Sequence, residues 1–386
     1  MPPFRGSILA VASFLAFGAL LVLYGANASE LIETLELDYE EFGRVGAMLS
    51  LGLGVGIIVA GPLIDRLPRR PLFVAACSLV LSATTTLGPE SSYMALLLHT
   101  VAIGFGAGLY ETVLNALIVE DFGAKAPRRL IFVHAGATAA AAVTPLVFEF
   151  MRASAPLYWY DTFRIAGATH ALLIVGALFV PMAAPGGTRG ENGKAVGTPA
   201  GVTDDSRTLA AVCLACFAYV GVEAAATLFV ADHATTVLGL GEDRAARTIS
   251  AFWGGLLVGR LAIGLSPRPI GGGTIAALAS VAAGFFVGFG SSLFGSPELA
   301  MALIGFFLGG VFPVMIGLAG IAMPSRPGLA VGLAGGLGSL GGFIVPWLSG
   351  VIAQSTSLGF ALATQGAWLS LLVAGAAIAH HRLTRV

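Results

Sequence analysis

Runs of about 20 consecutive, mostly apolar residues recur along this chain, each long enough to cross a hydrocarbon core about 30 Å thick. They predict twelve spans, near 7–29, 43–64, 71–89, 93–119, 130–150, 163–184, 207–231, 245–265, 272–293, 298–322, 328–353 and 359–379. Barrel strands alternate over about ten residues, whereas these runs are continuous and longer. The expected class is an all-α membrane protein. Of 386 residues, 56% are hydrophobic and 11% charged, too little charge to cover a soluble domain of this length. The 53 glycines fit the same reading, because small residues let membrane helices approach closely.

Basic residues set the expected orientation. Fifteen of the 20 Lys and Arg residues fall on the side that holds both termini and the even-numbered loops. Arg44, Arg152, Arg164, Arg244 and Arg247 fall on the other. This bias predicts an inner (plasma) membrane protein with both termini cytoplasmic. "GANAS" at 25–29 resembles a signal-peptidase site, but Arg5 alone is a poor n-region and cleavage would leave eleven spans with the wrong loop polarity. Cys77, Cys213 and Cys216 lie in predicted spans, where a free cysteine behaves as a small hydrophobe.

The one long polar stretch, "PGGTRGENGKAVGTPAGVTDDS" at 185–206, reads as a flexible cytoplasmic linker. It divides the chain into six-span bundles at 1–184 and 207–386. The two halves echo each other. "IGF" at 103–105 followed by Gly108 recurs at 304–306 followed by Gly309. Val59, Ile64, Pro68 and Arg69 find Val258, Ile263, Pro267 and Arg268 at an offset of 199. Six-span repeats with a solute held between them are a common transporter layout.

"GPLIDRLPRR" at 61–70 closes the second span with an aspartate and an arginine cluster. Arginines at a membrane boundary meet anionic headgroups. The stretch also resembles the G-x-L-x-D-R-x-G-R-R signature of the major facilitator superfamily at Gly61, Leu63, Asp65, Arg66, Arg69 and Arg70, with Pro68 in place of the usual glycine. With twelve spans, the linker and the duplication, the resemblance covers the whole chain. It implies the two-bundle major facilitator fold and a cytoplasmic gate in which Asp65 and Arg66 latch the two halves.

Within the spans, ionisable groups are rare, and each is a functional hypothesis. "GFGAGLYETVLNALIVE" at 104–120 carries Glu111 about one turn from mid-span, with Asn115 on the same face and Gly104 and Gly108 continuing it. Such a face suits a polar cavity or a close helix contact. Glu223 lies near the middle of span 7, flanked by Tyr219 and Thr227 at i−4 and i+4. Glu111 corresponds to Phe312 in the second half, so each half offers one carboxyl group on a different helix. The bland alternative is that each Glu stays protonated against a neighbouring helix. The functional one is a cavity wall whose carboxyl groups titrate and couple proton binding to transport.

A narrower resemblance rests on these residues. "GFGAGLYETVLNALI", "FAYVGVEAAATLFVADH" and "FWGGLLVGRLAIG" are similar to spans 4, 7 and 8 of the fucose–proton symporter group, whose permeases carry fucose, galactose or glucose. The resemblance implies Glu111 as the proton-coupling, sugar-contacting carboxylate, with Asn115 and Glu223 as sugar ligands. Understood members also carry a carboxylate deep in span 1, where this chain offers only Asn27. Trp253 stacks on a sugar ring or packs at an interface. His134 and Arg260 are assigned to the inner gate or the headgroups.

The expectation is therefore a secondary transporter, not an enzyme, moving a small polar solute, with the proton or sodium as coupling ion and no cofactor or metal. Its partners are that solute and the lipid bilayer, with no nucleic acid, in a monomer. A drug or metabolite exporter of the same fold is the alternative. A membrane-embedded enzyme or a nontransporting sensor finds no metal spacing or nucleophile–base pair to support it.

Overall fold

A computed structural model describes residues 4–64, 66–122, 126–180, 182, 204–267 and 270–384. Among them there is helix throughout and no strand. The elements are α1 (Phe4–Ala26), α2 (Ala28–Thr34), α3 (Tyr39–Ile64), α4 (Arg69–Thr85), α5 (Tyr93–Phe122), α6 (Ala126–Arg152), α7 (Trp159–Leu178) and α8 (Ser206–Asp232). Then come α9 (Glu242–Gly264), α10 (Gly272–Gly290), α11 (Pro297–Leu308), α12 (Val311–Ala322), α13 (Pro327–Ser355), α14 (Leu358–Ala363) and α15 (Gln365–Leu383). Nine segments among the described residues are long and apolar enough to cross a membrane. The 17-residue α4 and the charge-tipped α7 and α9 stand where spans 3, 6 and 8 were expected.

Four of the expected spans are not simple helices, and the first of them, span 1, breaks at Asn27 between α1 and α2. Span 7 continues past α8 as a π-helical turn, His233–Val237. Span 10 breaks between α11 and α12 at Gly309 and Gly310, and span 12 breaks at Thr364. Below, the end of the bundle carrying the chain termini is called basal and the opposite end apical.

Packing repeats between the halves. In the first, α3 packs on α5, α1 on α6 and α4 on α7; in the second, α9 packs on α11, α8 on α13 and α10 on α15. Glycines make the first of these pairings possible. A Cβ on Gly52 or Gly56 of α3 would meet the Val101 or Phe105 carbonyl at 2.3 Å, and one on Gly104 or Gly108 of α5 would meet Leu49 O or Leu53 O at 2.3 Å. The second half repeats the arrangement: Gly255 and Gly259 face Ala302 O and Phe306 O at 2.0 and 2.1 Å, and Gly305 and Gly309 face Phe252 O and Leu256 O. Lipid tails are as apolar as leucine, so close packing of this kind, not water exclusion, drives helices together. The face that continues Glu111 through Gly108 and Gly104 is therefore a close helix contact. The pairing aligns α3 with α9 at an offset of 203, since Gly52 matches Gly255. The sequence match at 199 is out by about one helical turn.

The halves meet along α3 with α13, α6 with α9, and α1 with α8. Apically this contact is tight. A Cβ on Gly25 of α1 would lie 1.8 Å from Thr227 O of α8, and one on Gly350 of α13 would lie 2.2 Å from Tyr39 O of α3. Polar bonds cross the same end: Tyr39 N donates to Gln354 Oε1 at 3.1 Å and Ser29 Oγ to Asp232 Oδ1 at 3.4 Å. Towards the basal end, a Cβ on Gly61, Gly317, Gly320, Gly332, Gly335 or Gly336 would meet nothing within 4 Å.

At the basal surface Asp205 caps α8, accepting from Arg207 N and Thr208 N at 3.1 Å each, and takes a two-pronged bond from Arg382 at 2.8 and 3.1 Å. The Arg382 guanidinium, and then Thr208, hold this carboxyl well below the usual carboxylate range. A lowered folded pKa stabilises the fold above the unfolded value of about 3.9, so the cap acts fully at neutral pH and is lost only in strong acid. Asp205→Ala is expected to cost about 1 kcal/mol, read as a lower melting temperature in detergent at pH 7.

Candidate functional site

Two acids and a single guanidinium meet where the halves touch. In the first half, Glu111 and Asn115 stand one turn apart on the same face of α5. Asn115 Oδ1 is buried without a hydrogen-bond partner. Glu111 Oε1 lies 4.0 Å from His134 Nδ1 of α6, with 16% of the glutamate side chain exposed. His134 packs against Phe14 of α1, ring centroids 4.4 Å apart. One turn further along α6 is Thr138.

In the second half Tyr219 donates its hydroxyl hydrogen to Glu223 on the same face of α8. Phe312, at the position equivalent to Glu111, stacks on the Tyr219 ring with centroids 6.1 Å apart. The asymmetry noted in the sequence is thus physical: where one half puts a carboxyl group, the other puts a ring that braces the tyrosine.

Arg260 of α9 joins the two sets. Its Nη1 donates to Thr138 Oγ1 across the interface at 2.7 Å, and its Nε donates to Gly309 O at 3.2 Å. The guanidinium also acts electrostatically on Tyr219, Glu223 and His134. The break between α11 and α12 supplies the Gly309 carbonyl. Irregular backbone at membrane depth persists where such groups find protein partners. Polar groups therefore run from Asn115, Glu111, His134 and Thr138 in the first half to Arg260, Tyr219 and Glu223 in the second, and the Arg260–Thr138 bond crosses between them.

The remaining sequence candidates lie elsewhere. Asn27 is buried at the apical end, where it accepts from Arg152 and donates to Thr162 Oγ1 at 3.0 Å and Leu23 O at 2.7 Å. Arg152 also binds Glu30 at 3.2 Å, so Asn27 belongs to an apical network. Trp253 is 3% exposed and packs edge-on against Phe252, its Nε1 buried without a partner. Of the gate motif, Asp65 lies outside the described residues. Gly61 faces open space, Arg66 is exposed, Arg69 is buried, and Arg70 donates to Val180 O at 2.9 Å within the first half. Most of the 185–206 linker also lies outside the described residues. No group of three or more His, Cys, Asp or Glu among the described residues is placed to hold a metal ion.

From the sequence Arg260 was assigned to the inner gate or the headgroups, and Thr138 had no role. A signal for Arg260 was present: the second-half segment "GGLLVGRLAIG" sets it between apolar residues on both sides, one turn inside the end of α9.

Residues 9–346 match the Major Facilitator Superfamily. The chain belongs to that superfamily. It is accordingly a multi-pass membrane transporter and not an enzyme. Solved members share its fold at low identity. The nucleoside transporter NupG superposes with a TM-score of 0.77 at 12% identity, covering 98% of this chain and 99% of that one. The inward-open xylose transporter XylE from E. coli gives 0.77 at 15%, covering 96% and 95%. A bacterial homolog of the human lysosomal transporter Spinster, inward-facing and unoccupied, gives 0.76 at 16%, covering 100% and 98%. No curated protein matches the chain.

Proposed function

We propose that this superfamily member is a secondary active transporter that moves a small polar solute, of the sugar class, by alternating access coupled to protons. The observation that carries the reading is a cluster of polar groups across the halves: Arg260 of α9 donates to Thr138 of α6, Glu111 lies 4.0 Å from His134 one turn away on α6, and Tyr219 donates to Glu223 on α8. A solute held there touches both halves, so binding and rocking are one event. A carboxyl group in that wall alternates between protonated and ionised as access changes, which lets a proton gradient do work. The similarity of spans 4, 7 and 8 to the fucose–proton symporter group supports the sugar class. So does the shared fold with a D-xylose–proton symporter. The domain division is 1–184, a cytoplasmic linker at 185–206, and 207–386, in a monomer of the plasma membrane with both termini cytoplasmic.

The test is uptake of labelled fucose, galactose, glucose and xylose into liposomes under an inward proton gradient, with a sodium gradient in parallel. Accumulation of one sugar above its outside concentration under the proton gradient is expected. Outward movement only, or accumulation with sodium alone, overturns the import or the proton reading respectively. For topology, single cysteines in the 185–206 linker and after His380 are expected to react from the same, cytoplasmic side; labelling from opposite sides ends the proposed arrangement.

A further inference from the structure

A carboxyl group and a guanidinium buried together need no proton, whereas a second carboxyl group beside them does. The polar path between the halves contains two acids, Glu111 and Glu223, and one permanent cation, Arg260, which stays protonated in any protein environment. The cation is not shared evenly. Tyr219 donates to Glu223, and Arg260 acts electrostatically on both, so the carboxyl group and its counter-charge belong to one cluster within the second half. Glu111 is held differently: it lies 4.0 Å from His134 on α6, one turn from the Thr138 that accepts from Arg260, while Arg260 acts on Glu223.

The charged and titratable groups facing Arg260 are Glu223 and Tyr219 on α8 and His134 on α6, while α11 contributes only the Gly309 carbonyl. With His134 neutral, the charges of Glu111, Glu223 and Arg260 sum to −1, and a single proton brings the site to zero. We propose that Arg260 fixes the proton count of this site at one, by keeping Glu223 ionised and leaving Glu111 as the group that takes up and releases the proton. Arg260 is thus a positioning residue for charge. Its bond to Thr138 of the opposite half also places the paired charge at the surface along which the halves move. The inference rests on the proposed coupling role, and it accounts for a site that works without a carboxylate in span 1.

The pairing predicts a specific pattern of titration, which infrared difference spectroscopy reads from the carbonyl band of protonated carboxyl groups. Purified protein in lipid is titrated as wild type, Glu111→Gln, Glu223→Gln, Arg260→Lys, Arg260→Gln and the double variant Arg260→Gln with Glu223→Gln. Wild type and Arg260→Lys are expected to share one titrating band from this site, and Glu223→Gln to keep that band with its midpoint at lower pH, because the freed Arg260 charge then acts on Glu111. Glu111→Gln should lose it. Arg260→Gln should gain a second band as Glu223 loses its counter-charge, and the double variant should return to one. Loss of the wild-type band in Glu223→Gln, or no second band in folded Arg260→Gln, overturns the proposal. If Arg260→Gln does not fold, the Glu223→Gln and Arg260→Lys spectra still decide. The measurement needs no solute. The expected spectra without gradient-driven uptake would therefore refute the transport reading and leave the pairing intact, and the reverse pattern would refute only the pairing.

Discussion

Glu111→Gln is expected to abolish accumulation of solute against its gradient, from tenfold or more inside over outside to no excess, while exchange of labelled for unlabelled solute continues. Glutamine keeps the size of the side chain and a hydrogen-bonding oxygen, so the α5 face and its approach to His134 survive. What it removes is the proton that binds and leaves. A symporter without that step still lets solute equilibrate but performs no uphill work. If Glu111 were a permanently neutral structural acid, glutamine would replace one neutral hydrogen-bonding group with another, and accumulation would stay within about twofold of wild type. Unchanged pH-driven accumulation would therefore defeat the coupling role. Asn115→Ala offers a contrast: the Asn115 Oδ1 without a protein partner suits a solute hydroxyl, so this change is expected to raise KM more than it lowers accumulation at saturating solute.

The parts of this site that local spacing could show were legible in the sequence. Glu111 with Asn115 and Glu223 with Tyr219 are i, i+4 pairs, and any helix places such residues on one face. The apolar runs gave the helix positions for the same reason, since membrane thickness imposes length directly. What spacing could not show is which helices touch. His134 lies 23 residues from Glu111, and Thr138 lies 122 from Arg260; the first contact exists only because α6 packs on α5, the second only because α6 packs beside α9. Arg260 was assigned to the inner gate or the headgroups because its backbone sits near a helix end, and its long side chain reaches the Gly309 carbonyl. The Gly309–Gly310 break was hidden by composition: with 53 glycines, most glycine pairs in this chain are uninterrupted helix. The offset of 199 failed for a related reason, because Gly-rich and Val-rich helices match themselves one turn out of register almost as well as in register.

Gly25 should control which side of the molecule is open. A methyl group at this position would stand 1.8 Å from Thr227 O, 2.9 Å from Thr227 C and 3.2 Å from Ile249 Cδ1, so α1 must draw back from α8 and α9. These neighbours belong to the opposite half, at the apical end that is closed in this structure. Alternating access separates this contact once per cycle, so the methyl group burdens the apically closed state and leaves the apically open one untouched. Overpacking of a tight contact costs about 1–3 kcal/mol, and about 1.4 kcal/mol is a tenfold change in an equilibrium constant. Gly25→Ala is thus expected to shift the population towards the apically open state by roughly five- to 150-fold. Spin labels at Glu33 and Asp243 should report a longer apical distance, and solute binding from that side should persist while turnover slows. Gly104→Ala is the control, because its clash with Leu49 O lies within one half and both access states share it. That change should lower the melting temperature without moving the apical distance. If Gly25→Ala behaved like Gly104→Ala, losing stability at a fixed apical distance, the contact between α1 and α8 would be permanent packing and not a gate.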